Sequence, residues 1–135
     1  MKKEQALSGT RVLDLTHYIA GPYCTKMLSD YGADVLKVER PGLGDAGRSL
    51  GPFLNDEPHP EKSGLFLYLN TNKLGITLNV KTKTGQKILK QLLKDADVFV
   101  ENNPAQLMAD LGLDYVSLKE INSRLIVTSI TPYGQ

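Results

Sequence analysis

The sequence predicts an α/β fold in which a Rossmann-like, mostly parallel sheet carries helices on both faces. Two observations lead to this fold class. Short apolar runs of strand length alternate with segments of helical periodicity, in the order β-α-β, a long loop, and β-α-β-α-α-β. A helical segment also separates successive strands, as parallel pairing requires.

The first strand-helix-strand unit spans residues 11–42. Val12, Leu13 and Leu15 predict a buried strand, and residues 34–39 predict a second one. Between them, Pro22 is predicted at the first position of a helix, where a missing N–H has no consequence. Gly32 is predicted just past the end of this helix, where a left-handed residue is needed.

The apolar residues of this first helix predict which face it buries. Tyr23, Met27 and Tyr31 recur every four positions, and Cys24 and Leu28 lie beside them. Residues at this spacing share one side of a helix. We therefore expect this side to pack on the sheet.

The remaining elements follow from composition and periodicity. Residues 41–62 are rich in glycine, proline and aspartate and predict a long loop over the strand ends. We then expect a short helix near 65–69, a strand at 76–80, a helix at 82–95, a strand at 97–101, short helices at 104–112 and 113–121, and a strand at 124–130.

Composition sets limits on the function. A length of 135 residues suits one domain, and the net charge of +1 does not favour nucleic acid or a membrane surface as a partner. Two histidines and the single Cys24 do not make a metal site, and Cys24 is predicted to act as a small apolar residue. The N-terminal residues lack the apolar core of a signal peptide, so a cytoplasmic location is predicted.

The ends of the predicted strands indicate an anionic ligand. In open α/β sheets, ligands bind beyond the carboxyl ends of the strands, where helix N-termini and free N–H groups meet. Arg40 lies at such an end and suits a phosphate, or else forms a surface ion pair with Glu39 or Asp45. Lys81 is predicted to end another strand, either beside the same ligand or in solvent. No G-x-G-x-x-G motif follows the first strand, so a dinucleotide site is not predicted.

Several ordered motifs resemble those of a known family. They are V-L-D-L-T-x(4)-G-P from Val12, G-A-D-V-L-K-V-E-R-P-G from Gly32, and G-D-x-x-R from Gly44. The likeness continues through Asn72-Lys73 and the segments 78–81, 96–102, 111–113 and 129–135. The chain thus resembles the start of the family III coenzyme A transferases of the CaiB/BaiF type, which include formyl-CoA:oxalate and carnitine-type CoA-transferases and α-methylacyl-CoA racemases.

The resemblance implies that coenzyme A (CoA) or acyl-CoA is a substrate, with a carboxylic acid as acceptor and no prosthetic group. The residues that it places at CoA are Tyr18, Ile19 and Ala20 through their backbone, and Arg40, Leu78, Lys81 and Asn102. In the formyl-CoA branch a glutamine often stands at the position of Ile19, which disfavours that exact substrate here. Two alternatives stay open: a racemase of the same family, and a non-catalytic CoA- or nucleotide-binding module.

The resemblance also implies a mechanism and an assembly. The family nucleophile is an aspartate that becomes an aspartyl-CoA thioester, and its position is expected past Gln135. We therefore interpret residues 1–135 as the N-terminal CoA-binding portion of a longer chain, inactive by itself. His17 is expected to be structural. The family further implies an interlocked homodimer.

Overall fold

A single parallel sheet forms the centre of the molecule. The computed structural model describes residues 4–134, so the polar start at residues 1–3 and the final Gln135 of the last family motif lie outside the described residues. Within residues 4–134 the strands are β1 Arg11–Leu15, β2 Asp34–Glu39, β3 Leu74–Thr77, β4 Val98–Glu101 and β5 Ile126–Ser129. They lie in the order β3-β2-β1-β4-β5, and each neighbouring pair is parallel.

Helices occupy the connections between these strands. They are α1 Ala20–Asp30, α2 Gly64–Leu69, α3 Lys83–Lys94, α4 Ala105–Asp110 and α5 Tyr115–Ile121. Two short 3₁₀ turns, Ala46–Ser49 and Leu54–Asp56, interrupt the segment that was expected to be a long loop. The predicted fold class, a parallel α/β sheet with helices, is confirmed.

The strand order creates a switch point between β1 and β4. From β1 the chain proceeds to β2 and β3 on one side, and α3 then returns it to β4 on the other side of β1. The loops that follow β1 and β4 therefore leave in different directions and open a crevice at the carboxyl end of the sheet. Ligands of open α/β sheets bind in such crevices.

One face of the sheet carries an apolar core. Phe99 of β4 and Leu13 of β1 pack there against Leu89 and Leu93 of α3 and Leu118 of α5, all of them buried. Val38, Ala96, Met108, Leu111, Leu113 and Leu125 belong to the same cluster. We call this side of the sheet the apolar face, and it holds α3, α4 and α5 on the sheet.

The opposite face has a smaller apolar cluster of Val12, Ala33, Val35 and Val100, with Leu28 of α1 packed against it. Side chains alternate along a strand, so the residues two positions after Val12 and Val35 lie on the same side. These residues are Asp14 and Lys37, and both are buried. We call this side the charged face.

The C-terminal end of α1 agrees with the sequence, whereas its first residue differs from the prediction. Gly32 has a φ of +101° and follows the C-cap, as predicted. Pro22, in contrast, is the third helical residue and not the first, because the helix begins at Ala20. This position still lies in the first turn, where the helix needs no N–H donor from it.

The residues of α1 that are buried are Gly21, Pro22, Thr25 and Ser29. Tyr23 and Tyr31, which were expected to pack on the sheet, are about half exposed, at 45% and 56%. The physical reason is the charged face beneath the helix: the Thr25 hydroxyl donates to Asp14 Oδ2 at 2.6 Å. A hydroxyl satisfies a buried carboxylate, and a tyrosine ring at that point does not.

Candidate functional site at the carboxyl edge of the sheet

A cleft of about 470 Å³ opens at the carboxyl edge of the sheet. Its walls come from the loop after β1, the turn after β2, the loop after β3, and the start of α4. Arg40, Leu78 and Lys81 all line it. Three of the predicted ligand residues therefore share one cavity, although they are far apart in the sequence.

Arg40 is exposed at the end of β2 and is directed into this cleft. Among residues 4–134, no carboxylate lies within ion-pairing distance of its guanidinium group. Its closest polar contact is a long hydrogen bond of 3.4 Å from Nε to the carbonyl oxygen of Gly44. The arginine therefore keeps most of its five donors for a ligand.

The two carboxylates that were considered as partners of Arg40 pair with other cations. Glu39 accepts two hydrogen bonds from Arg48, at 2.7 Å from Nε and 2.9 Å from Nη2. Asp45 lies 2.7 Å from Lys37 Nζ. Burial alone raises the pKa of Glu39, but the Arg48 guanidinium outweighs it and lowers the pKa below its ordinary value. Glu39 is thus an ionised anchor for Arg48, which engages both of its carboxylate oxygens.

The strand predicted at 76–80 is present but lies earlier, at Leu74–Thr77, so Leu78 and Lys81 follow the strand and do not belong to it. The ladder between β3 and β2 ends at Thr77, and Leu78 N–H makes one last bond to Glu39 O at 2.9 Å. Asn79 Oδ1 then accepts from Lys81 N–H at 3.1 Å, which turns the chain toward α3. Lys81 is exposed at the rim of the cleft, and Leu78 is half-buried in its wall.

Gly85 of α3 fixes the position of this turn. A Cβ atom at Gly85 would lie 1.9 Å from the carbonyl oxygen of Asn79. The Thr82 hydroxyl also accepts from Gly85 N–H at 3.0 Å and so caps the helix. The turn that carries Leu78 and Lys81 is therefore packed directly on the first turn of α3.

The loop after β1 leads into α1. Tyr18 has a φ of +68°, a left-handed conformation that is uncommon outside glycine. Its N–H already donates to Asp45 Oδ1 at 3.0 Å, so this predicted donor is engaged within the protein. Ile19 precedes α1 and Ala20 begins it. The first-turn N–H groups of a helix lack partners inside the helix, which keeps this end suited to an anion.

Comparisons with known proteins agree with this geometry. Residues 7–135 match the family described as CoA-transferase family III. The chain is 47% identical over 130 residues to succinyl-CoA:glutarate CoA-transferase of Mus musculus and 44% identical over 130 residues to formyl-CoA:oxalate CoA-transferase of Afipia carboxidovorans. These alignments cover 96% of this chain but 29% and 30% of the relatives.

A solved structure shows the same fold. It is a CaiB/BaiF family protein from Brucella suis, with a TM-score of 0.87 and 38% identity, and the match covers 98% of this chain and 35% of that one. The chain belongs to the CoA-transferase family III. It spans about 30% of the length of the curated relatives that it matches.

Asn102 of this family III chain does not face the cleft with a free amide. Its Oδ1 accepts from His17 N–H at 3.0 Å, and its Nδ2 donates to His17 O at 2.8 Å. The next residue, Asn103, donates from Nδ2 to Leu15 O at 3.2 Å and lines the cleft. The segment after β4 therefore holds the backbone of the loop after β1.

His17 also lines the cleft, and its ring packs near that of Tyr18, with 5.1 Å between the ring centroids. Burial lowers the pKa of His17 below its ordinary value, although Asp45 acts in the opposite direction. The imidazole is therefore mostly neutral at pH 7. Both backbone polar groups of His17 are bonded to Asn102, which agrees with the structural role expected for this residue.

A second buried lysine lies under α1. Lys73 Nζ donates to Asp14 Oδ2 at 3.1 Å, to Pro22 O at 2.9 Å and to Asn70 Oδ1 at 2.8 Å. Burial lowers the pKa of Lys73 from 10.5 to about 8, even though Asp14 favours the charged form. This lysine connects the first strand, the first helix and the segment before β3.

Cys24 lies near the same cluster and is half-buried. Burial, with a smaller effect of Asp14, raises the pKa of its thiol above the ordinary value. A thiol in this state is a poor nucleophile. Within residues 4–134 we find no cluster of metal-ligating side chains, and no helix there is long and apolar enough to cross a membrane.

Three residues that hold the loops of the site in place were not predicted from the sequence. Lys37 and Asp45 contact the loop after β1, Asn103 contacts the last residue of β1, and none of these contacts was predicted. A signal was present in the strands themselves. Asp14 stands inside Val-Leu-Asp-Leu and Lys37 inside Val-Leu-Lys-Val, at positions where an apolar residue is expected in a strand covered on both faces. A charge at such a position indicates a buried partner.

Proposed function

We propose that this chain forms the CoA-binding portion of an acyl-CoA:carboxylate CoA-transferase. The single observation that supports the proposal most is the state of Arg40. It is directed into the cleft at the switch point, while both neighbouring carboxylates are occupied by Arg48 and Lys37. Lys81 supplies a second cation to the same cleft. Two cations in one cleft, neither with a carboxylate partner among residues 4–134, suit a ligand that carries several phosphates.

We assign a role to each residue on this basis. Arg40 and Lys81 bind the phosphates of CoA, and Leu78 lies under the adenine ring. Tyr18, Ile19 and Ala20 approach CoA through their backbone at the start of α1. Asn102 acts indirectly: it fixes the loop after β1, because its amide oxygen and its amide nitrogen are both bonded to the backbone of His17.

In the complete enzyme we propose the covalent route that the family resemblance implies. A carboxylate oxygen attacks the thioester carbonyl, the carbon–sulfur bond breaks, and CoA leaves as its thiolate with an acyl anhydride formed. The thiolate then attacks the enzyme's half of the anhydride, which releases the first acid and leaves an enzyme-bound CoA thioester. The acceptor acid then attacks the enzyme-bound thioester, and CoA leaves as its thiolate with a second anhydride formed. The thiolate attacks the acceptor's half of this anhydride, which gives the new acyl-CoA and frees the enzyme carboxylate.

The aspartates at the sheet do not suit the role of this nucleophile. Asp14 and Asp45 are buried and paired with lysines, at 3.1 Å and 2.7 Å. Asp34 is exposed but begins β2, at the amino edge of the sheet and away from the cleft. We therefore assign CoA binding, and not the attack on the thioester, to this part of the enzyme.

The Arg40→Ala variant tests the proposal. We expect its affinity for CoA to fall by about 1–3 kcal/mol, the range for losing a charge-assisted hydrogen bond. Isothermal titration calorimetry with CoA measures this directly. Titration with pantetheine, which lacks the nucleotide phosphates, should give the same affinity in parent and variant.

The control is Arg124→Ala, the same change at an exposed arginine beside the amino end of β5. It removes one positive charge at the opposite edge of the sheet and should leave CoA affinity unchanged. Equal losses in the two variants would indicate a general charge effect and would reject the assignment of Arg40. A parent protein that does not bind CoA would reject the proposed function itself.

We also propose an interlocked homodimer, which the resemblance implies, and a cytoplasmic location. The exposed apolar side chains of Leu67 and Tyr68 on α2 support the first, since exposed apolar residues of this kind are typical of subunit contacts. Light scattering of the purified protein tests the homodimer.

A further inference from the structure

The carboxylate of Asp45 joins two segments that border the cleft. Its Oδ1 accepts from Tyr18 N–H at 3.0 Å and from Gly47 N–H at 2.7 Å. The N–H of Asp45 itself donates to Glu39 Oε2 at 2.7 Å. The loop after β1 and the turn after β2 are therefore held together by one side chain.

Lys37 orients that carboxylate from within the sheet. Its Nζ lies 2.7 Å from Asp45 Oδ2 and donates to Thr16 O at 2.9 Å. The two side chains are only 2% and 1% exposed. Lys37 thus contacts the loop after β1 twice, directly at Thr16 and through Asp45 at Tyr18.

A need for stability does not explain such a pair. Replacing a buried ion pair with apolar residues of similar volume is often neutral or stabilising, because both charges lose their hydration on burial. What an apolar pair cannot do is accept a hydrogen bond from Tyr18 N–H. Tyr18 is held at a φ of +68°, a conformation that persists only where the surroundings enforce it.

We propose that Asp45, oriented by Lys37, is a positioning residue that holds Tyr18 in its left-handed conformation and thereby presents Ile19 and Ala20 to CoA. The inference rests on the proposed function, because it names CoA as the ligand. Its structural half, that Asp45 fixes the loop, stands independently of the ligand. Preorganising a loop in its bound conformation raises affinity by lowering the cost of ordering it.

The experiment compares two variants of the intact protein. Asp45→Ala removes the acceptor for Tyr18 N–H and leaves Lys37 without a partner. The double variant Lys37→Met/Asp45→Asn removes both charges but keeps an amide oxygen that accepts from Tyr18. Calorimetry measures CoA affinity, and amide hydrogen exchange measures the protection of Tyr18 N–H, with Phe99 N–H in the apolar face as reference.

We expect Asp45→Ala to lose protection at Tyr18 but not at Phe99, and to bind CoA about tenfold or more weakly. The double variant should keep Tyr18 protected and retain CoA affinity to within about threefold. Leu118→Ala is the control for a general loss of stability. It lies in the apolar face and should bind CoA as the parent does while both remain folded.

Two results would overturn the inference. One is an Asp45→Ala protein that loses protection at Tyr18 and still binds CoA like the parent. The other result applies even if Asp45→Ala does not fold. It is a folded double variant in which Tyr18 N–H is protected but CoA affinity is reduced about tenfold. Such a result would mean that the position of the loop is not the contribution of Asp45 to CoA binding. A parent without CoA affinity rejects the proposed function and the ligand half of the inference, whereas unchanged Tyr18 protection in Asp45→Ala rejects the structural half alone.

Discussion

The two faces of the sheet are built from different kinds of contact. The apolar face packs leucines of α3 and α5 against Phe99 and Leu13, and it also buries the carboxylate of Glu101, two residues after Phe99 in β4. The charged face buries two lysine–aspartate pairs, Lys37 with Asp45 and Lys73 with Asp14, toward the carboxyl ends of β1 and β2. Apolar packing is non-directional, whereas each ion pair here fixes particular backbone atoms. One face therefore supplies cohesion, and the other fixes the positions of particular backbone atoms.

The position of the charges agrees with this division. The smaller apolar cluster of the charged face includes Val12 and Val35, near the amino ends of their strands. Asp14 and Lys37 follow on the same side, nearer to the cleft. Charge is thus buried where the chain leaves the sheet and must be held in irregular loops.

The largest expected effect comes from breaking one of the ion pairs. Lys73→Met leaves Asp14 buried without its cation, and we expect the free energy of unfolding to fall by about 3–5 kcal/mol. Denaturant-induced unfolding, followed by circular dichroism, measures this loss. Loss of one cation on the charged face would then lower the free energy of unfolding as much as loss of a buried leucine side chain on the apolar face.

The matched control for Lys73→Met is the neutral pair Asp14→Asn/Lys73→Met. An asparagine at position 14 still accepts from Thr16 through Oδ1, its Nδ2 can donate to the Thr25 hydroxyl in place of the carboxylate oxygen, and no charge is left unpaired. We expect this double variant to recover most of the lost stability. If both proteins were equally unstable, the pair would matter for cohesion itself and the contrast between the faces would fail.

The next effect tests the apolar face alone. Leu118 of α5 is fully buried, and Leu118→Ala removes apolar contacts and leaves a cavity. We expect a loss of about 2–5 kcal/mol in the free energy of unfolding. CoA affinity, measured by calorimetry where the variant is folded, should not change. A weaker affinity in the folded variant would show that the apolar face also sets the geometry of the cleft.

The sequence predicted the apolar face better than the charged one. Leu89 and Leu93 recur at helical spacing, and the leucine side of α3 is the side that is buried. For α1 the same spacing selected Tyr23, Met27 and Tyr31 with Cys24 and Leu28. Leu28 does pack against the sheet, but the two tyrosines are about half exposed. Periodicity locates the apolar side of a helix, but α1 lies over a carboxylate and buries Thr25 instead.

The sequence predicted the candidate ligand residue Arg40 at a strand end, but it did not predict the residues that hold the loops of the site in place. Arg40 was placed correctly, because a residue directly after a strand of a parallel sheet must lie at the carboxyl edge. Lys81 reached the same cleft from a turn and not from a strand end. The partners of Lys37 and Asp45 could not be read from one sequence, since Asp45 contacts Tyr18, which is 27 positions away.

The smallest expected effect is a pH dependence that belongs to the charged face alone. Lys73 has a pKa of about 8 in the folded protein and an ordinary value of 10.5. Below about pH 8 the amine is protonated in both the native and the unfolded chain, so the cost of burying its charge is fully present. As the pH rises above about 8, the native chain loses this proton first, and unfolding then takes up a proton. The contribution of Lys73 to the free energy of unfolding should therefore increase with pH by at most about 1.4 kcal/mol per unit, until the unfolded amine also titrates.

Urea unfolding at a series of pH values between about 7 and 10 measures this increase. The parent should gain about 2–3 kcal/mol relative to Asp14→Asn/Lys73→Met over that range, because the neutral pair has no amine at this position. Leu118→Ala should lower the free energy of unfolding by the same amount at every pH, since a cavity does not bind protons. Parallel curves for the parent and the neutral pair would mean that Lys73 keeps its proton when folded. The charged face would then hold a permanent cation whose hydration is replaced by Asp14, Pro22 and Asn70, and its contribution would be as independent of pH as that of the apolar face.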